Sequence, residues 1–314
     1  MMLAPLPDAL RLLPLRIHGL ALEAAAERND GTPEDPLTVP LYQSDFNRLS
    51  LAPMRQGWHV EYFGETWGEA FDETLACLSR QDVADCITSL SFSGIDSGAN
   101  GTREWMFAPL LDSPVTFPRL RSLFVKPTQP EDHNQSLVCT SDGILEEGGE
   151  IARWVRKTPH LSELTAPNPP DAGFFDVPLP QLSSLCIGAH FDTQRFIGNL
   201  ASAQNLPGLK LLDFSESTEQ QMVWPAERAP GSITPFEDYA ALLESPMGAQ
   251  LRVLRLRNTC LELAQLQQLQ GLRPALQFMV IQSTIGGYVS HFAQDVFPWR
   301  HLVPADPGLA PYRK

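Results

Sequence analysis

The segment FPRLRSLFV, residues 117–125, decides how this chain is read. A proline turn leads into Leu120, then Leu123 three residues on, then Val125 two after that. Residues two apart project from the same face of an extended strand, so Leu123 and Val125 share a buried side. Leu120 sits on the turn entering the strand and faces inward as well. A lone unit of this kind cannot bury its apolar side, so the pattern predicts a series of stacked copies.

The copies are present. The same spacing joins Ile87, Leu90 and Phe92; Leu161, Leu164 and Ala166; Leu182, Leu185 and Ile187. It returns at Leu209, Leu212 and Phe214, at Leu251, Leu254 and Leu256, and at Leu276, Met279 and Ile281. Pro118, Pro159, Pro180, Pro207 and Pro274 each stand two residues before the first position of a triplet. Chance matches in a leucine-rich chain would not share that punctuation.

Helical spacing fills the gaps between triplets. Candidates are 69–83, 105–111, 144–155, 196–203, 236–243 and 261–269, with Thr234 as an N-cap before Pro235. Residues 1–65 fit the triplet poorly. Leu10, Leu13 and Leu15 imitate it, but Pro14 counts against a ladder strand there. Asn29 to Pro36 reads as a loop, and 47–51 with 58–63 as a hairpin around Pro53 and Gly57 that caps the N-terminal edge. The expected organisation is an N-terminal cap over 1–68, a repeat region over 69–285, and a C-terminal cap and tail over 286–314.

The phrases FPRLRSLFV, HLSELTA, LPGLKLLDFS and LRVLRLRNT resemble the leucine-rich-repeat superfamily over roughly residues 70 to 285. Trp58 to Leu78, an alternating segment followed by an acidic helix, is similar to the start of a group of bacterial cytoplasmic leucine-rich-repeat proteins of undefined activity. The resemblance implies an α/β solenoid with a curved parallel sheet on the concave side and helices on the convex side. It also implies protein binding and no catalytic residues. Such repeats run about 20–29 residues. The intervals between first positions here are 33, 41, 21, 27, 42 and 25, so three of them need inserted segments or an unseen degenerate repeat. The ninth position, which holds Asn or Cys in that family, holds Thr128, Thr259, Thr284 and Ser217 in four units; their hydroxyls are suited to bonding the turn backbone.

Composition narrows the function. The 37 acidic and 23 basic residues give a net charge of −14, which argues against nucleic acid as a partner. Five widely spaced cysteines read as free thiols in a reducing compartment. The N-terminal 22 residues lack a basic region before an apolar block, and no apolar run approaches the roughly 18 residues of a membrane span. A cytoplasmic location follows by elimination. None of the seven histidines has the spacing of a helical metal site, and Glu146, Glu147 and Glu150 read as the solvated face of a helix. No cofactor, metal or catalytic residue is expected.

The expected function is therefore a non-enzymatic protein-binding scaffold, its partner another protein, without nucleic acid or membrane. Two alternatives stay open: an immunity protein that neutralises a cognate toxin, and a hydrolase or ligase built on a repeat scaffold. The residues flanking the inward strand positions should face a partner. They grow bulkier and gain arginines toward the C-terminus. The candidate contact residues are Phe124, Leu211, Asp213, Arg255, Arg257, Phe278 and Val280. Whether insertions or the C-terminal cap cover them is open at this point.

Overall fold

The computed structural model describes residues 5–28, 47–96, 101–128, 132, 134–140, 147–189, 192–216 and 233–281. Each of the seven triplets falls on a strand of one large, mostly parallel sheet. These strands are β3 (Ile87–Gly94), β5 (Ser122–Val125), β7 (Glu163–Ala166), β8 (Ser184–Ala189), β9 (Leu211–Glu216), β10 (Val253–Arg257) and β11 (Gln277–Ile281). The hairpin adds β1 (Arg48–Met54) and β2 (Gly57–Gly64), with β1 antiparallel to β2 and β2 parallel to β3. The order is β1-β2-β3-β5-β7-β8-β9-β10-β11, so β1 holds the N-terminal edge.

Register explains why the triplet works. Leu90, Leu123, Leu164, Leu185, Leu212 and Leu254 pair in one unbroken row, and all are buried. Burying one such leucine is worth about 2 kcal/mol. Ala166, Ile187, Phe214 and Leu256 make a second row. The turns before the strands are tied by a repeated bond: Arg121 N–H donates to Thr88 O, Ser162 to Arg121, Ser183 to Ser162, Lys210 to Ser183 and Arg252 to Lys210, at 2.8–2.9 Å.

The helices are α1 (Asp8–Arg28), α2 (Glu69–Leu78), α3 (Gln81–Ala84), α4 (Ala108–Asp112), α5 (Glu150–Arg156), α6 (Phe196–Ser202), α7 (Phe236–Glu244), α8 (Pro246–Gln250) and α9 (Leu263–Leu272). Their buried residues and the inward strand positions form one contiguous apolar cluster, which places the helices on one face of the sheet. Rings thicken its N-terminal half: Phe107 lies 5.0 Å from Phe92 and 5.4 Å from Trp154, centroid to centroid.

The segment around Leu10, where Pro14 counts against a ladder strand, is a helix, α1, which buries Leu10, Leu13, Ile17 and Ala21 against α2 and β1 and carries Pro14 in its second turn. Two expectations are corrected. The helix after Pro235 begins without a Thr234 cap; the Thr234 N–H instead donates to the buried Glu216 carboxylate at 2.7 Å. Glu147 and Glu150 are buried rather than solvated. Glu147 accepts the N–H groups of Ile151 and Asp171 at 2.8 and 2.7 Å and so pins the start of α5.

Two of the long intervals are explained. They contain β4 (Gly101–Trp105) and β6 (Asn134–Val138), which pair in parallel as a second, two-stranded sheet. The third holds α7 and α8. In three units the residue that stands out at the turn after the strand is the eighth: Asn168, Glu216 and Asn258. The Asn168 amide exchanges two bonds with Val138, 2.8 Å to its N–H and 2.9 Å to its carbonyl. Asn258 adopts the left-handed backbone (φ 52) that this residue type tolerates, and Glu216 accepts from Thr234 and Cys260. At the ninth position, the Thr128 hydroxyl accepts the Ser136 N–H at 3.0 Å. The expected loop at 29–36, the residues Ser217, Thr284 and Glu146, and the cap from 286 onward lie outside the described residues.

Candidate functional site

The face of the sheet opposite the helices is half-buried where the other is closed, and among the described residues no helix lies on it. Its central row, read by register, is Glu61, Ser91, Phe124, Thr165, Cys186, Asp213, Arg255 and Met279. Small polar groups dominate toward β3, where Ser89, Ser91 and Ser93 stand in a column and the Ser89 hydroxyl lies 2.9 Å from His59 Nδ1. Large and charged side chains stand toward both ends of the face: His59, Glu61 and Phe63 on β2, with the Arg48 guanidinium 3.9 Å over the Phe63 ring, and a second group over β9, β10 and β11.

Asp213 is the centre of that group. Arg257 grips its carboxylate with two prongs, Nε to Oδ1 at 2.7 Å and Nη2 to Oδ2 at 3.0 Å. Arg255 Nη1 reaches Oδ2 at 3.5 Å. The Asp213 side chain is 6% exposed, against 35% for Arg255 and 23% for Arg257. A carboxylate so enclosed survives only because it is paired. Among the described residues, one carboxylate thus lies under two guanidiniums. Burial first and the Asp213 charge second push the thiol of Cys186, beside Asp213 in register, up to about 12.

The candidate residues therefore separate. Leu211, Asp213, Arg255 and Arg257 come together on adjacent strands. Asp213 is enclosed, so it holds the arginines rather than facing solvent. Phe124 shares the face but lies four strand spacings from β10, about 19 Å away. Phe278 and Val280 are on the other face: they pair with Leu254 and Leu256 and pack against the apolar core. The cause is a one-residue slip. Gln277, directly after Leu276, pairs with Val253, which stands two residues after Leu251, and a shift of one inverts every side chain. Met279 and Ile281, read as inward residues in the sequence, sit beside Arg255 and Arg257 instead.

Other features are few. A polar cleft of about 340 Å³ lies between Phe175, Asp176, Asn199 and Asn205 on the helical side. Arg103 and Lys126 both approach the buried Asp132, at 3.2 and 3.0 Å. Among the described residues no group of three or more His, Cys, Asp or Glu is placed to hold a metal ion, and no helix is long and apolar enough to cross a membrane.

No protein-family model matches the chain, and no curated protein matches it. A solved structure of a protein from Bacteroides fragilis is similar with a TM-score of 0.44 and 14% identity, over 78% of this chain. The chain spans 64% of that protein's length.

Proposed function

We propose that this chain is a leucine-rich-repeat solenoid acting as a non-enzymatic scaffold, with the helix-free face of its sheet as the surface that meets another protein. The triplet-to-strand correspondence and the repeated turn bonds support the solenoid reading. The observation that carries the binding reading is the group over β9 to β11. There a partly exposed arginine, beside an enclosed carboxylate, stands among the partly exposed Leu211, Val253 and Met279. Arginine with apolar neighbours is the composition of interface centres. The protein would work in the cytoplasm, where its five free thiols stay reduced.

The test is affinity capture from the native cell with the wild-type chain and with a Leu211→Ser, Arg255→Ala, Met279→Ser variant that keeps its thermal transition. A protein retained by the wild type and lost by the variant supports the reading. A partner retained equally by both contradicts it. A captured basic toxin would select the immunity alternative.

A further inference from the structure

Resting on the reading of this face as a docking surface, the geometry points to the chemistry of what docks there: a partner segment carrying a carboxylate between apolar side chains, with Arg255 as its principal donor. Three observations lead to it. The Asp213 carboxylate is already taken by Arg257 through both oxygens, so Arg255, at 3.5 Å, is the less engaged cation of the pair. Its Nε is buried without a hydrogen-bond partner, while the side chain as a whole is 35% exposed.

Register supplies the second observation. Met279 flanks Arg255 on β11, Ile281 flanks Arg257, and Leu211 pairs with Val253 at the entry to the same strands. A charge-assisted bond made among apolar neighbours is shielded from water when a partner covers it, and gains strength accordingly.

Charge complementarity is the third. The chain carries a net −14, yet among the described residues this strip sets two guanidiniums against one carboxylate. Glu163, exposed on β7, is three strand spacings from β10, about 14 Å, which is beyond the screening length of about 8 Å at physiological salt. An acidic segment would therefore be repelled by most of the molecule and accepted here. Phosphate backbones are disfavoured, because a single available arginine ringed by aliphatic groups gives no multi-phosphate contact.

The experiment is an array of short random-sequence peptides probed with the full chain and with Arg255→Ala and Arg255→Lys variants. The expected result is enrichment of Asp or Glu flanked by Leu, Ile, Val or Phe. Arg255→Ala should weaken binding about tenfold, with Arg255→Lys intermediate. Salt should weaken the wild type more than Arg255→Ala. Enrichment of basic or uncharged peptides, or acidic peptides bound equally by Arg255→Ala, would overturn the inference while leaving the scaffold reading standing. So would an array without binders, or capture of a single-stranded oligonucleotide instead. Loss of cellular capture in the triple variant above is independent of these outcomes.

Discussion

Arg257 closes on Asp213 through both carboxylate oxygens, and the two residues stand on neighbouring strands, β10 and β9, on a face that is otherwise half-open. The pair fixes the guanidinium in a plane rather than letting it sweep through solvent. It also makes Asp213 costly to remove. Asp213→Ala should destabilise the protein by about 2 kcal/mol, below the usual 3–5 for breaking a buried pair because Arg257 keeps contact with water. Arg255→Ala, which loses a 3.5 Å contact, should cost under about 1 kcal/mol. Urea unfolding of both variants checks the order, and a larger loss for Arg255→Ala would refute it.

The slip in β11 gives a second prediction. Val280 pairs with Leu256 over the core, and Met279 with Arg255 on the opposite face. Val280→Asp buries a charge against apolar groups, whereas Met279→Asp places one beside an arginine. Val280→Asp should lower stability by more than about 2 kcal/mol and Met279→Asp by less than half as much. A larger loss for Met279→Asp than for Val280→Asp would mean that the register expected from the sequence is the true one.

How far the sequence foretold this structure depends on the segment. Six of the strands were legible because a buried row of leucines demands a strict period, β11 keeps the triplet but slips by one residue, and the hairpin was legible from Pro53 and Gly57 close to its turn. Helix α1 was hidden because Leu10, Leu13 and Leu15 mimic a triplet and Pro14 argues against any regular element, although Leu10, Leu13, Ile17 and Ala21 do lie on one helical face. The pairing of β4 with β6 has no triplet to announce it, and several of its buried positions are polar: Arg103, Asn134 and Ser136. At the site, Arg255 and Arg257 were found from alternation alone. The enclosure of Asp213 was not, because it depends on two arginines more than 40 positions away, and the placement of Phe278 failed because it depends on a turn one residue shorter than its predecessor.

Asn168 gives a third prediction. Its amide supplies both a donor and an acceptor to Val138, so β6 ends on a side chain as if on another strand. Asn168→Ala leaves two buried backbone groups unpaired and should cost about 2–4 kcal/mol. Asn168→Asp keeps the acceptor, loses the donor, and adds charge, and should be no milder. Thermal unfolding of the two variants decides this; a loss below about 0.5 kcal/mol in both would show that the turn is held some other way.

Buried carboxyls set the pH dependence. Burial raises Glu147 to about 7 against the opposing bonds from Ile151, Asp171 and Gly149, and burial raises Glu216 as well. A carboxyl whose folded pKa is raised holds its proton in the native state where the unfolded chain has lost it, so stability falls as pH rises. For Glu147 the window runs from the ordinary carboxyl value of 4.5 up to about 7. Urea midpoints taken across that window should decline with pH, and the decline should be shallower in Glu147→Gln. A midpoint that rises through the window would contradict the assignment.

The central claim is that a partner rests on the helix-free face over β9, β10 and β11. Hydrogen exchange on the captured complex tests it most directly, because each strand reports separately. The account predicts slowed exchange in peptides spanning 211–215, 253–257 and 277–281 when the partner is bound, with α2, α6 and α7 unchanged. Protection confined to the helical side, or to the β1 edge, would contradict it.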